Sequence, residues 1–265
     1  MPRPFGRTPV LLLLAGFIFP GVWPCLAQTV PEPQRLPDGG TREMLVSIFI
    51  PSTPNAPFTA TVNTEWVRPL PDGTRITLKN HRFIARDKNG RVFQERRMLV
   101  PEDGKSESFV TQTEIGDPGT HELYTCRPNS RVCHLNVFET ANPVVPLADV
   151  NAPKSTDTGR PESLGKQSIA GMEAVGTREM MIIPTGAIGN DSPILSKREY
   201  WYSKQLGMNV LSIREDPRFG MQKFELSDVV VAEPDAKLFE PPEGFRIVDV
   251  RTPAAVAPSE AAPAR

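Results

Sequence analysis

Three runs of alternating side chains, residues 58–68, 74–86 and 91–99, are separated by two turn segments, Pro71-Asp72-Gly73 and Asp87-Lys88-Asn89-Gly90. Aspartate, asparagine and glycine accept the positive φ angles of tight hairpin turns, and a period of two in the flanking residues belongs to strands. A chain punctuated in this way is confined to an antiparallel meander. Within 74–86 the alternation places Ile76, Leu78, Asn80, Arg82 and Ile84 on one side, and Arg75, Thr77, Lys79, His81, Phe83 and Ala85 on the other. Neither side is wholly apolar. That fits a sheet with one side toward solvent and the other partly lining a cavity, and it does not fit the doubly buried strands of a parallel fold.

Further strands are expected over 109–115 and from Glu122 through Cys126 toward Phe138, and no segment of this half carries a helical period. The second half repeats the pattern in 179–184, 194–203, 210–216 and 221–231, with turns at Gly207-Met208-Asn209 and Asp216-Pro217-Arg218-Phe219-Gly220. Residues 234–239 can form one helical turn, because proline suits a helix start and Asp235 its first turn. The predicted fold is all-β and mainly antiparallel: a curved sheet or half-open barrel of roughly ten strands with few short helices.

Residues 1–27 combine Arg3 and Arg7, an apolar run over 10–23, and Cys25-Leu26-Ala27, which reads as a secretory signal peptide too short to be an anchor. Lipidation of Cys25 is the competing reading, and the bulky or rigid Val22, Trp23 and Pro24 before it oppose that. The expected location is therefore exported, periplasmic or extracellular, with no integral membrane segment after signal removal. A proline-rich leader, 28–57, holds one apolar stretch, 44–50, expected as a strand. The β-rich domain spans 58–250 and is interrupted by a Pro-rich loop, 141–165, which a single sheet can accommodate as well as two subdomains can; one sheet is favoured. An Ala/Pro tail, 251–265, has little to pack and is expected to be disordered. The whole chain carries 30 basic and 31 acidic residues that alternate in sign, so nucleic acid is not an expected partner.

Cys126 and Cys133 flank Pro128, Asn129 and Ser130, so a hairpin would bring them opposite each other as a disulfide in an oxidising compartment. Zinc sites want closer pairs with further ligands and redox motifs want Cys-x-x-Cys, so neither reading fits, even with His134 adjacent. His81, His121 and His134 lie far apart and read as solvated strand residues; no metal or cofactor is implied. No Gly-x-Ser-x-Gly elbow is present. Glu199, Glu215 and Asp216 offer carboxylates on neighbouring strands, as a glycosidase would, yet Arg178, Lys197, Arg198, Arg214 and Arg218 lie among them as ion-pair partners. The aromatic cluster Tyr200-Trp201-Tyr202 is the candidate ligand lining, with alternation sending Trp201 to one side, as core, and the tyrosines to the other.

Leu164-Gly165, Gly171, Gly176-Thr177-Arg178, Pro184, Ile188-Gly189-Asn190, Glu199-x-Trp201-Tyr202-Ser203, Asp216-Pro217-Arg218-x-Gly220 and Glu233-Pro234-Asp235 resemble a family of uncharacterised exported bacterial β-rich proteins. Asp72-Gly73-Thr74-Arg75-Ile76, Arg86-Asp87-x-x-Gly90-Arg91 and Asp117-Pro118 agree with it. The closing Phe239-x-x-Pro242-x-Gly244-Phe245 also resembles the end of outer-membrane lipoprotein-carrier proteins, whose fold is a half-open antiparallel barrel. The first resemblance implies export and a β-rich fold with no known activity, and the second implies lipid or acyl-chain binding by analogy of fold. The expected role is a binding module with a concave apolar face for a lipid, an acyl chain or a peptide. The alternatives are a structural or interaction protein of the envelope, and a hydrolase using paired carboxylates.

Overall fold

The protein is seen in a computed structural model that describes residues 45, 47–138, 157–158 and 160–251. The expected signal 1–27, residues 28–44 and 46 of the leader, 141–156 and 159 of the loop and 252–265 of the tail lie outside the described residues, as do 139 and 140. The strands are β1 (Phe58–Pro69), β2 (Arg75–Arg86), β3 (Val92–Arg97), β4 (Val100–Pro101), β5 (Val110–Asp117), β6 (Glu122–Arg127) and β7 (Val132–Val137) in the first half. The second half supplies β8 (Asp157–Thr158), β9 (Glu162–Ile169), β10 (Met172–Ile183), β11 (Ile194–Ser203), β12 (Met208–Asp216), β13 (Gly220–Val230) and β14 (Arg246–Asp249). A single 3₁₀ turn, Ala236–Phe239, precedes β14.

All of these strands belong to one open sheet in the order β14-β7-β6-β5-β3-β2-β1-β13-β12-β11-β10-β8, with β4 beside β2 and β9 beside β10. Every pairing is antiparallel except β14 with β7. The halves of the chain are joined where β1 pairs with β13, Val62 opposite Leu226 and Trp66 opposite Gln222. The curved antiparallel sheet expected from the alternation is what forms, with more strands than the sequence reading counted. Part of the excess comes from 162–165, expected as loop: Glu162 to Ile169 runs as β9 along β10, and Glu162 pairs with Arg178 at 3.1 Å.

Local chemistry explains the turns. Asp72 Oδ1 accepts the Thr74 backbone N–H at 2.9 Å between β1 and β2, and Asp87 Oδ1 accepts from Asn89 and Arg91 at 3.0 and 2.8 Å between β2 and β3. Only Ala170 and Gly171 connect β9 to β10, with φ of 49° and 78°. Two positive φ angles are the signature of the mirror-image hairpin turn, in which alanine is strained. Cys126 and Cys133 lie directly opposite each other on β6 and β7, fully buried and joined by a disulfide, with Cα atoms 3.9 Å apart.

The main core lies on the side of the sheet that carries Phe58, Ala60 and Val62 of β1, Ile84 of β2, and Phe224 and Leu226 of β13. What covers it corrects the expectation for the leader. Residues 47–57 pair as no strand, yet Ile48 and Ile50 are 5% and 6% exposed within the core. Two arginines of β2 hold this segment down: Arg82 donates to Ser47 Oγ at 2.9 Å and Ile48 O at 3.2 Å, and Arg86 to Pro51 O at 2.8 Å and Ala56 O at 2.9 Å. Backbone carbonyls that would otherwise pair in a ladder are satisfied by guanidinium groups instead. The opposite side of β2 is covered as well, by a second cluster of Ala85, Ile115 and Phe239, with Arg91 over the Phe239 ring at 4.9 Å. The distal end of β2 is therefore buried on both sides, where alternation alone had left one side to solvent. The 3₁₀ turn that presents Phe239 is capped by Asp235, which accepts from Lys237 N–H at 3.0 Å.

Candidate ligand-binding face

On the side of the sheet away from the leader, cross-strand register builds ordered rows. One row runs Lys79, Glu65, Lys223, Ile213, Glu199 and Arg178 across β2, β1, β13, β12, β11 and β10. The next runs Val67, Met221, Glu215, Lys197 and Met180 from β1 to β10. The first row is charged and largely self-neutralised. Arg178 binds Glu199 at 2.8 Å, Lys223 binds Glu225 at 2.6 Å, and Lys79 contacts Glu102 and lies 4.0 Å from Glu65. Hydrogen bonding to Glu199 holds the Arg178 guanidinium above its ordinary range. Above this row lies a depression of about 710 Å³, floored by Asn63, Glu65, Lys79, His81, Lys223 and Glu225 and walled by Val100 and Ser106 to Ser108.

The second row opens into a different space. Val67, Pro69, Met180, Leu195, Pro217 and Met221 line a trough of about 490 Å³, edged by Lys197, Glu215 and Asp216. Its one cross-strand ion pair, Lys197 to Glu215 at 2.9 Å, is closed within the row. Leu195 is 47% exposed and Ile182, opposite it on β10, is 36% exposed, so apolar surface continues past the trough along the strand ends. A concave, mostly apolar lining with a few polar groups at its edge is the composition of small-molecule sites, and 490 Å³ falls in their size range. Methionine suits such a lining because its flexible thioether adapts to varied apolar shapes.

The structure separates the residues that the sequence drew together. Trp201 is 8% exposed within the main core, its ring over Gly176, the residue opposite it on β10. Tyr202 projects to the other side of β11, 47% exposed, beside a shallow depression of about 480 Å³ formed with Glu173, Val175, Lys204 and Gln205. Tyr200 shares that side and is half-buried, so the three rings do not converge on one cavity. The carboxylates also part: Glu199 and Glu215 lie in the rows above, paired with Arg178 and Lys197, whereas Asp216 alternates to the opposite side and binds Arg218 at 2.7 Å. Burial pushes the Asp216 carboxyl up, and bonds from the Arg218 side chain and backbone N–H outweigh it, holding the group below its ordinary range. Among the described residues no group of three or more His, Cys, Asp or Glu side chains is placed to hold a metal ion, and no helix is long and apolar enough to cross a membrane.

Val67, Met180, Leu195 and Met221 are the residues that sequence reading missed. They are single apolar positions on four different strands, and only the register shows that three of them share a row.

No protein-family profile matches the chain, and no curated protein does. Among solved structures, an uncharacterized conserved protein from Thermus thermophilus is similar at 9% identity and a TM-score of 0.38, over 74% of this chain and 91% of that one. The MucA/MucB complex of Pseudomonas aeruginosa is matched at 13% identity and a TM-score of 0.38, over 74% of this chain and 59% of its own. A LolA superfamily protein, NE2245 from Nitrosomonas europaea, is matched at 12% identity and a TM-score of 0.28, over 72% of this chain and 92% of that one.

Proposed function

We propose that the protein is an exported, non-catalytic binding module of the cell envelope that holds an acyl chain in the trough between Val67, Met180, Leu195 and Met221. The trough itself carries the reading: an apolar concavity of about 490 Å³ at the solvent side of an otherwise charged and internally paired face. Each methylene withdrawn from water contributes about 0.8 kcal/mol, so a chain seating ten of them gains ~8 kcal/mol before the entropy of association is subtracted. Micromolar affinity is therefore the ceiling, and an association cost of about 4 kcal/mol brings it to the millimolar range. Export is supported by the amino-terminal pattern at 1–27, and an oxidising compartment by the Cys126–Cys133 bridge.

The test uses a neutral ligand, so that only apolar contact is read. N-phenyl-1-naphthylamine fluorescence should rise on addition of the protein and be displaced by dodecanol. Met221→Glu and Met180→Glu should each weaken the dodecanol competition at least tenfold while leaving the thermal midpoint within a few degrees. Absence of displaceable probe binding to the unmodified protein would remove the proposal.

A further inference from the structure

On the side of β11 opposite Trp201, at the end where β11, β12 and β13 reach the Asp216–Gly220 turn, Arg198 and Arg214 stand directly opposite each other on adjacent strands. Like charges in direct cross-strand register destabilise a sheet. Asp216 relieves Arg214 only from 3.9 Å, and Arg198 is relieved less. Glu179, opposite Arg198 on β10, makes no ion pair with it, and Arg198 has no hydrogen-bond partner among the described residues. The only carboxylate in the cluster is Asp216, whose two oxygens are taken by Arg218 at 2.9 and 2.7 Å; Arg214 Nη2 lies 3.9 Å from it. Three guanidinium groups thus surround one buried carboxylate, with Glu179 beside Arg198 as the only further acid in register and no ion pair closed between them. Burial, then the nearby Arg198, holds the Arg214 guanidinium below its ordinary range.

The surroundings are built for a ligand. Arg214 Nε is buried with no hydrogen-bond partner, and so is the hydroxyl of Ser196, 1% exposed and two residues before Arg198 on the same side of β11. Buried polar atoms without partners are rare and mark places where something else completes the bonding. The Phe219 ring lies under both Arg214 and Arg218, at 5.8 and 5.0 Å, which fixes the planes of the two guanidinium groups.

We propose that Arg198, Arg214 and Arg218, with Ser196, form a site for a phosphate-bearing group. Two forked guanidinium groups match the oxygens of a phosphate in bidentate fashion, and a dianion neutralises the excess charge of the cluster. The site shares Asp216 with the edge of the trough but places Ser196, Arg198 and Arg214 on the other side of the strands from Lys197 and Glu215, and the neutral probe and alcohol used there carry no charge to engage it, so either assignment can fail alone.

The experiment measures the thermal midpoint of the full chain in inorganic phosphate against chloride at matched ionic strength. Retention on vesicles of phosphatidylglycerol against phosphatidylcholine is measured in parallel. The unmodified protein should gain several degrees in millimolar phosphate and nothing in chloride. Arg198→Gln removes the opposed charge, so its midpoint without phosphate should match or exceed that of the unmodified protein, while the phosphate concentration needed for half the shift rises at least tenfold. Retention on phosphatidylglycerol that Arg198→Gln abolishes identifies a lipid headgroup as the source, and a phosphate response without retention identifies a soluble phosphate compound. A midpoint indifferent to phosphate, an unchanged response in Arg198→Gln, or a midpoint lowered by that substitution in phosphate-free buffer would overturn the assignment.

Discussion

Replacing Arg86 by methionine probes the contact that seats the leader on the sheet. The guanidinium is completely buried and donates to three backbone carbonyls, Pro51 O at 2.8 Å, Ala56 O at 2.9 Å and Leu206 O at 2.5 Å, while lying 5.0 Å from the Phe58 ring. It ties together three stretches far apart in the chain: the leader, the end of β2 and the turn between β11 and β12. A hydrogen bond to a charged donor contributes about 1.5 kcal/mol or more, so three amount to ~5 kcal/mol. Methionine recovers part of this by removing the desolvation of a buried charge and restoring apolar packing. Pro51 O also keeps its bond from Thr53 N–H at 2.9 Å. The net loss is about 3 kcal/mol, read as a lower urea midpoint at unchanged slope. Hydrogen exchange should quicken first in residues 47–56.

Burial depresses the Arg86 guanidinium to about 10, so the folded state binds its proton less tightly than the unfolded chain. Stability from this group therefore rises only as pH climbs above about 10, and the methionine effect should be constant from pH 5 to 9. A methionine variant as stable as the unmodified protein would show that the three carbonyls have no need of the donor.

Three further outcomes follow from local geometry. A methyl group at Gly176 would sit 2.7 Å from the Trp201 ring and 2.8 Å from Leu164 Cβ, so Gly176→Ala should cost about 1–3 kcal/mol in chemical denaturation; a neutral effect would mean the ring is free to move aside. Ala170 holds a φ of 49° in the two-residue turn between β9 and β10, and Ala170→Gly or Ala170→Asn should raise stability by ~0.5–1 kcal/mol, with a lowered melting temperature counting against the turn assignment. The Asp216 carboxyl is held low, so its contribution is complete above the unfolded value near 3.8 and fades as pH falls through the folded one. Asp216→Asn should cost about 2 kcal/mol at pH 7, and the gap to the unmodified protein should narrow below pH 4; a pH-independent gap would show that the ion pair with Arg218 is not its source.

Turns built from short polar residues were legible because their chemistry is local: Asp72 and Asp87 bond backbone groups within four residues, and Cys126 and Cys133 are brought opposite each other by their own hairpin. The turn at Ala170-Gly171 was not, since alanine does not advertise a positive φ. The stretch 44–50 was expected as a strand, yet the carbonyls of Ile48 and of Pro51 just beyond it find partners on Arg82 and Arg86, more than thirty residues away, and nothing in an apolar stretch announces that a side chain will take the place of a ladder. On β11 the alternation that sent Trp201 to the core and the tyrosines to the other side was legible, but the bare Gly176 opposite it, which leaves room for the Trp201 ring, is a matter of register.

The alternation and the turn residues, acting over a few positions at a time, determined by themselves that this chain makes hairpins and that those hairpins lie antiparallel in one sheet. Which residues become neighbours across strands was decided only in three dimensions. The pairing of β1 with β13 sets the register that lines up Val67, Met221 and Met180 on one side and sets Arg198 against Arg214 on the other. A strand repeats every two residues whatever its partner, so sequence carries the side a residue faces but not the row it joins.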